Sequence, residues 1–299
     1  MTDFRICWSI DCESARREIG DLALGRRAIE GFCEILESAG WKGTLFVIPE
    51  EVEPLADLLG RAADCGHETA LHLHPDESGC ESAYLGALSR EQQTEAVGLA
   101  CETFKRALGV LPVSMRPGFG SANDSTFPML AELGFRQTSA SFPGRRMSSL
   151  GSNWAGAPLF AHYANPNNRF LEGGLDLVEI PISVDWETMI WGGIHPQDLR
   201  VENTDAKNHA YVIRKIINRQ LQENLPLKVL VPFTHNIFDY SDPSNFRRQT
   251  MEGMIGEIRR CGEELGLLLQ SCTVAEAGAA YRQAMPFSIA ERNPGCRPE

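Results

Sequence analysis

The sequence is short of positive charge. Of its 299 residues, 28 are Lys or Arg and 40 are Asp or Glu, so the formal net charge is −12 at pH 7. Basic residues occur at most as adjacent pairs. An acidic surface without a basic run repels a phosphate backbone. Nucleic acid is therefore not predicted as a partner.

Long hydrophobic runs and a cysteine framework are also missing. No apolar run approaches the roughly 20 residues that cross a bilayer, and no basic segment followed by an apolar one marks a signal peptide near Met1. The nine cysteines are odd in number and contain no Cys-x-x-Cys pair, which is typical of reduced thiols. We expect a cytoplasmic protein with no membrane span.

What the sequence contains is an alternation of short apolar runs and amphipathic segments. The predicted strands are Phe4–Ile10, Thr44–Ile48, Glu68–Leu73, Val113–Met115, Phe135–Ser139, Leu177–Val184, Lys228–Phe233 and Leu267–Gln270. The predicted helices are Leu24–Ala39, Glu51–Cys65, Ser89–Leu108, Ser125–Leu133, Asp205–Asn224 and Asn245–Leu265. Repeated βα alternation predicts an α/β fold with parallel strands. The number of units favours a closed barrel in one domain over residues 1–283, followed by a tail at 284–299.

Two segments interrupt this alternation, at residues 143–174 and 186–203. Long irregular segments in a compact domain are usually binding loops or lids. Trp154, Trp186 and Trp191 lie in these segments. They are candidates for a sugar-stacking wall, and packing in the core or in a lid is an equal alternative.

Metal-competent side chains follow two of the predicted strands. Because side chains alternate along a strand, His72 and His74 share one face, and Asp11 and Glu13 share one face of the first strand. Active sites of α/β folds lie at the carboxyl ends of parallel strands. Two imidazoles and a carboxylate leave a coordination position open, as in catalytic zinc sites. Cobalt, nickel, iron or manganese would also suit these donors, and Asp76 is either a further ligand or a loop cap.

Three other strands end in polar residues. His235 is either a general acid or an ordinary turn residue, and Asp185 is either a site acid or a helix cap. Arg116 is either a surface residue or a forked hydrogen-bond donor to a carboxylate. The residues alone leave these alternatives open.

Taken in order, five short motifs resemble the polysaccharide deacetylase superfamily (carbohydrate esterase family 4). They are Asp11-Cys12-Glu13, Gly66-His67-Glu68 with His72-Leu73-His74, Arg116-Pro117, Asp185-Trp186 and Phe233-Thr234-His235. The resemblance implies a distorted (β/α)7-type barrel. It also implies these roles: Asp11 as base, Glu13, His72 and His74 as metal ligands, His235 as acid, Asp185 tuning the acid, and Arg116 orienting the base.

The resemblance implies a metal-dependent hydrolase of C–N bonds other than peptide bonds. Its substrate would be a saccharide or another small molecule from which an N-acyl group is removed. The first candidate for this group is the N-acetyl group of an amino sugar. Two alternatives stay open. One is a metal-free glycosidase in which Asp185 supplies the second carboxylate, because Asp11 and Glu13 on one strand are too near each other to flank a sugar. The other is a non-catalytic carbohydrate-binding relative.

Overall fold

The computed structural model describes residues 2–287. The strands are β1 Thr2–Ile6, β2 Trp8–Cys12, β3 Gly43–Val47, β4 Glu68–Leu73, β5 Ser114–Pro117, β6 Gln137–Thr138, β7 Arg146–Met147, β8 Ser152–Asn153, β9 His162–Tyr163, β10 Val178–Glu179, β11 Val184–Ile190, β12 His195–Asp198, β13 Val229–Leu230, β14 Phe233–His235 and β15 Leu267–Ser271. The helices are α1 Leu22–Ser38, α2 Pro49–Val52, α3 Ala56–Asp64, α4 Arg90–Leu108, α5 Thr126–Glu132, α6 Ala206–Gln222, α7 Phe246–Leu265 and α8 Val274–Ala284. Most of the predicted tail, from residue 288 onward, lies outside the described residues.

An eight-stranded sheet in the order β14-β2-β3-β4-β5-β6-β10-β9 forms the centre of the fold. Its pairs are parallel except at β9, which runs antiparallel to β10. A second sheet, β13-β1-β15, is also parallel. Together they form a curled half-barrel, so the predicted α/β fold with a distorted barrel is confirmed.

The central strands are hydrophobic because helices cover the outside of the sheet. All five residues of β2 and all five of β3 are buried, as parallel sheets with covered faces require. In α1 the buried side chains fall at helical spacing, and Asp21 accepts a hydrogen bond from the backbone of Leu24 as the N-cap. Helix α4 begins with a capping box formed by Ser89 and Gln92.

Several local predictions were wrong. The predicted first strand is two strands that join different sheets, with a break at Cys7. Residues 186–203 are not an irregular loop, because β11 and β12 pair there as an antiparallel hairpin. Helix α8 was not predicted. Trp154 is fully buried, which agrees with packing in the core, one of the two alternatives left open for it. No helix among residues 2–287 is long and apolar enough to cross a membrane.

Candidate active site

A cavity of about 450 Å³ opens where the carboxyl ends of β2, β4, β5 and β14 meet. Six of the seven predicted site residues line it: Asp11, Glu13, His72, His74, Arg116 and His235. Strand pairing explains why they meet, since His235 lies opposite Asp11 and His72 lies opposite Arg116 in register. Asp185 is not among the lining residues.

Glu13, His72 and His74 form a compact group at one end of this cavity. The Nε2 atom of His74 lies 2.8 Å from Glu13 Oε2 and 3.2 Å from His72 Nε2. His72 Nε2 lies 3.7 Å from the same Glu13 oxygen. All three residues are buried, and their donor atoms fall within 4.8 Å of one another. Asp76 does not join this group; its donor atom lies near those of Glu18 and Glu77 instead.

The hydrogen bonding of these imidazoles suits a cation. His72 Nδ1 lies 2.9 Å from the carbonyl oxygen of Arg116, so we assign the proton to Nδ1, which leaves the Nε2 lone pair facing Glu13. His74 Nδ1 is buried and has no hydrogen-bond partner among the described residues. Burial lowers the pKa of His74, which favours the neutral form that binds metals.

Glu13 is held in place by a buried polar network that sequence reasoning did not identify. Its backbone N–H donates to Asn236 Oδ1 at 2.7 Å, and Asn236 Nδ2 donates to Glu51 at 2.9 Å. The other Glu51 oxygen accepts hydrogen bonds from the Ser14 hydroxyl and the Ala15 amide. Burial alone would raise the pKa of Glu13, but the two imidazoles beside it hold this pKa well below its usual range.

Asp11 and Arg116 form a buried ion pair beside this group. Arg116 Nη1 donates to Asp11 Oδ1 at 2.6 Å, and its Nε and Nη2 bind Ser139 at 3.1 and 3.0 Å. The guanidinium also packs over the rings of Phe46 and Phe233. Burial raises the pKa of Asp11, yet the charges of Arg116, His72 and His235 together outweigh it and the pKa is lowered. The predicted pairing of these two residues is thus present.

His235 faces the cavity with Nε2, which lies 3.8 Å from Asp11 Oδ2. Its Nδ1 hydrogen-bonds the carboxylate of Glu202. Burial lowers the pKa of His235, but the charge and the hydrogen bond of Glu202, together with the charge of Glu13, more than offset this effect and the pKa is raised. Glu202, from the short turn Val201–Asn203, was not identified from the sequence.

The predicted pairing of Asp185 with His235 is wrong. Asp185 accepts hydrogen bonds from Lys215 Nζ at 2.6 Å and from the Thr188 hydroxyl at 2.7 Å. The start of β11 directs it toward helix α6, which carries Lys215. Glu202 holds the position that the motif pattern gave to Asp185.

Comparison with known proteins agrees with this fold. Residues 21–138 match the polysaccharide deacetylase family model, which supports the superfamily that the motifs predicted. A solved structure from Mycobacterium smegmatis, described as a polysaccharide deacetylase, is 18% identical with a TM-score of 0.65 and covers 100% of this chain and 95% of its own. No curated protein matches the sequence.

Two further solved structures share the fold. The allantoinase Puue is 11% identical with a TM-score of 0.66, over 95% of this chain and 92% of its own. A polysaccharide deacetylase from Pseudomonas aeruginosa PAO1 is 12% identical with a TM-score of 0.64, over 95% and 93%. At these identities the likeness concerns the fold alone.

Proposed function

We propose that this chain, a member of the polysaccharide deacetylase superfamily, is a metal-dependent hydrolase. Its best substrate candidate is an N-acetyl group on an amino sugar or a sugar-containing precursor. The family supports a deacetylase that acts on C–N bonds. One observation carries the finer proposal: the Glu13, His72 and His74 group opens into the same cavity as Asp11 and His235.

A divalent cation is the proposed cofactor, with zinc first and cobalt, nickel, iron or manganese as alternatives. Glu13, His72 and His74 would hold it, because one carboxylate and two neutral imidazoles form a common catalytic donor set. When bound, such a cation supplies Lewis acidity toward an amide carbonyl and toward water.

Asp11 and His235 would handle the protons. Arg116 keeps Asp11 ionised, so its carboxylate can accept a proton from the attacking water. Glu202 keeps His235 protonated, so Nε2 can deliver a proton to the amine that leaves. A base with a lowered pKa and an acid with a raised pKa satisfy the requirement that the two groups hold opposite protonation states at one pH.

The alternatives have less support. A two-carboxylate glycosidase needed Asp185, which binds Lys215 instead. A non-catalytic binding protein has no need of an acid and a base that face each other across one cavity. A second candidate function is hydrolysis of a C–N bond in a small molecule that is not a sugar. It is favoured by a fold that matches the allantoinase as well as the deacetylases and by a cavity of small-molecule size.

Elemental analysis tests the metal proposal. The purified protein is expected to carry about one equivalent of a divalent transition metal, and the His72→Ala/His74→Ala double variant is expected to carry none. His235→Ala serves as a matched control, because it removes an imidazole from the same cavity and should retain the metal. Equal metal content in the double variant would refute the ligand assignment.

Acetate release tests the reaction. Acetate release from N-acetylated sugars and sugar nucleotides is measured with and without a chelator and with zinc or cobalt added back. Allantoin has no acetyl group, so its disappearance is followed directly under the same conditions. We expect release from a sugar, loss with the chelator, recovery with metal and no release by Asp11→Asn. Turnover of allantoin alone would favour the second candidate. Turnover that survives the chelator would contradict metal dependence.

We also propose that the protein acts in the cytoplasm. The eight cysteines within the described residues are free, and five of them are buried, as expected for structural thiols in a reducing compartment. Fractionation of the source cells with an antibody to the protein tests this placement.

A further inference from the structure

Two arginines line the same cavity and are not used by the proposed reaction. Arg145 lies just before β7, and Arg200 follows β12. Here they are called the arginine wall. An acidic chain of net charge −12 that directs two guanidinium groups into its candidate active site calls for an explanation, because buried charge is costly unless it is paired.

Arg145 is almost fully buried, with 3% of its surface exposed. Its Nε donates to His195 Nδ1 at 3.0 Å, and its Nη1 donates to the Phe119 carbonyl at 2.7 Å. The guanidinium lies 3.5 Å above the ring of Phe142. Within the part of the chain that the structure describes, no carboxylate lies within 4 Å of it and its Nη2 makes no hydrogen bond.

Arg200 is held mainly by aromatic rings. Its guanidinium lies 5.4 Å from the ring centre of Trp191 and 4.9 Å from that of Phe233. Its one ion pair among residues 2–287 is a long contact of 3.9 Å with Asp198. The Nε atom is buried without a partner, and no hydrogen bond from this side chain is formed with a described residue.

Among residues 2–287, one carboxylate, that of Asp198, acts on both arginines. Asp198 is fully buried and is already bound by His195 Nε2 at 2.9 Å and by Asn203 Nδ2 at 2.6 Å. His195 accepts a hydrogen bond from Arg145 through Nδ1, so its ring is neutral and adds no charge. Two guanidinium charges therefore face one carboxylate, and the wall has one positive charge in excess.

We propose that the arginine wall binds an anionic group of the substrate, a carboxylate or a phosphate. Guanidinium groups bind both through paired N–H donors, and the unpaired N–H groups of Arg145 and Arg200 are the donors for it. Hydrogen bonds to His195, which in turn binds Asp198, hold Arg145 in place. The rings of Trp191 and Phe233 hold Arg200. This proposal rests on the proposed function in one respect: the anionic group is taken to be part of the molecule that is hydrolysed.

Calorimetric titration of chelator-treated protein tests the wall without turnover. The probes are N-acetylglucosamine, its 6-phosphate and N-acetylmuramic acid, which are neutral, phosphorylated and carboxylated. We expect at least one charged sugar to bind about tenfold to a hundredfold more tightly than the neutral one, the size of hydrogen bonds to charged groups. Which charged sugar gains identifies the anion.

Substitutions assign the effect to the wall. Arg200→Met should abolish the advantage of the charged sugar over the neutral one, while Arg200→Lys should keep part of it. Arg61→Met on α3 makes the same charge change outside the cavity and should keep all of it. Trp191→Leu, which removes one supporting ring, provides a second variant if Arg200→Met does not fold.

Equal binding of all three sugars, no binding of either charged sugar at millimolar concentration, or an advantage that survives Arg200→Met would overturn the proposal. Acetate assays on the same sugars separate the two hypotheses. Tight binding of a charged sugar without acetate release would refute the deacetylase and leave the anion site. Acetate release with equal affinity for charged and neutral sugars would refute the anion site and leave the deacetylase.

Discussion

The Glu202 carboxylate accepts a hydrogen bond from Nδ1 of His235, which lies 33 residues later in the chain. This contact fixes the ring so that Nε2 faces Asp11 and Glu13 across the cavity. A second oxygen of Glu202 accepts from the Thr234 hydroxyl at 2.9 Å. Glu202 is therefore positioned to orient the acid and to favour its protonated form.

Replacing Glu202 by Gln is expected to reduce kcat. The variant keeps the shape of the side chain but removes the charge that keeps His235 protonated. Since a positioned acid or base contributes about 100-fold or more, we expect a loss of at least about tenfold in kcat with a smaller change in KM. Steady-state acetate release measures both constants.

Asp185→Asn is the matched control for this prediction. It makes the same chemical change at the residue to which the motif pattern assigned the role, yet Asp185 contacts Lys215 rather than His235. We expect kcat to stay within about twofold of wild type, since contacts outside the site leave the transition state unchanged. A larger loss in Asp185→Asn than in Glu202→Gln would restore the motif-based role.

The ion pair of Asp11 and Arg116 is expected to be important for stability. Both side chains are buried, so Arg116→Met leaves a carboxylate without its partner. Breaking a buried pair in this way costs about 3–5 kcal/mol. Urea unfolding followed by circular dichroism measures the free energy of unfolding.

An exposed pair provides the comparison. Arg26 and Asp57 are 2.7 Å apart on the surface, where water screens the attraction between the two charges. Arg26→Met should therefore destabilise the fold far less than Arg116→Met. If Arg116→Met were no worse than Arg26→Met, the burial of the Asp11 pair would not have the energetic weight given to it here.

The sequence was sufficient for the parts of the site that lie on regular strands. Side-chain alternation predicted that Asp11 on β2 and His72 on β4 both lie at the carboxyl ends of their strands. In the structure both side chains line the same cavity, as expected. Glu202 and Asn236 could not be found this way, because a short turn and a loop position carry no periodic signal. Asp185 was misassigned because the residues that follow it form a hairpin, and hairpin pairing directs its side chain away from the cavity.

Gly118 is expected to be required for metal binding. A Cβ at this position would lie 2.4–2.5 Å from three ring atoms of His74, which is closer than side chains tolerate. Gly118→Ala must therefore displace the imidazole from Glu13. Because displaced or poorly oriented ligands cost about 10–100-fold in metal affinity, we expect a loss of that size in zinc affinity, measured by competition with a chromophoric chelator.

Gly60→Ala is the control for this substitution. Gly60 lies within α3 and a Cβ there meets nothing within 4 Å, so Ala should leave zinc affinity unchanged. It should also stabilise the fold by about 0.5–1 kcal/mol. Unchanged zinc affinity in Gly118→Ala would show that His74 does not hold the metal.

Glu179 is expected to make stability fall as the pH rises. It is fully buried in β10, where burial raises its pKa from 4.5 to about 7. Between these values the folded protein holds a proton that the unfolded chain has released. Its contribution is therefore fully present below pH 4.5 and is lost as the pH rises through 7, with a total of about 3 kcal/mol.

Glu179→Gln imitates the protonated side chain, and its Oε1 can keep the hydrogen bonds from Ala140 and Ser141. Urea unfolding from pH 4.5 to 8 measures the free energy of unfolding of both proteins. We expect the variant to become more stable relative to wild type as the pH rises. Taking the difference between the two proteins cancels the contributions of all other titrating groups. A flat difference would mean that the three donors on Ala140 and Ser141 keep the carboxylate ionised, so that hydrogen bonding outweighs burial at this position.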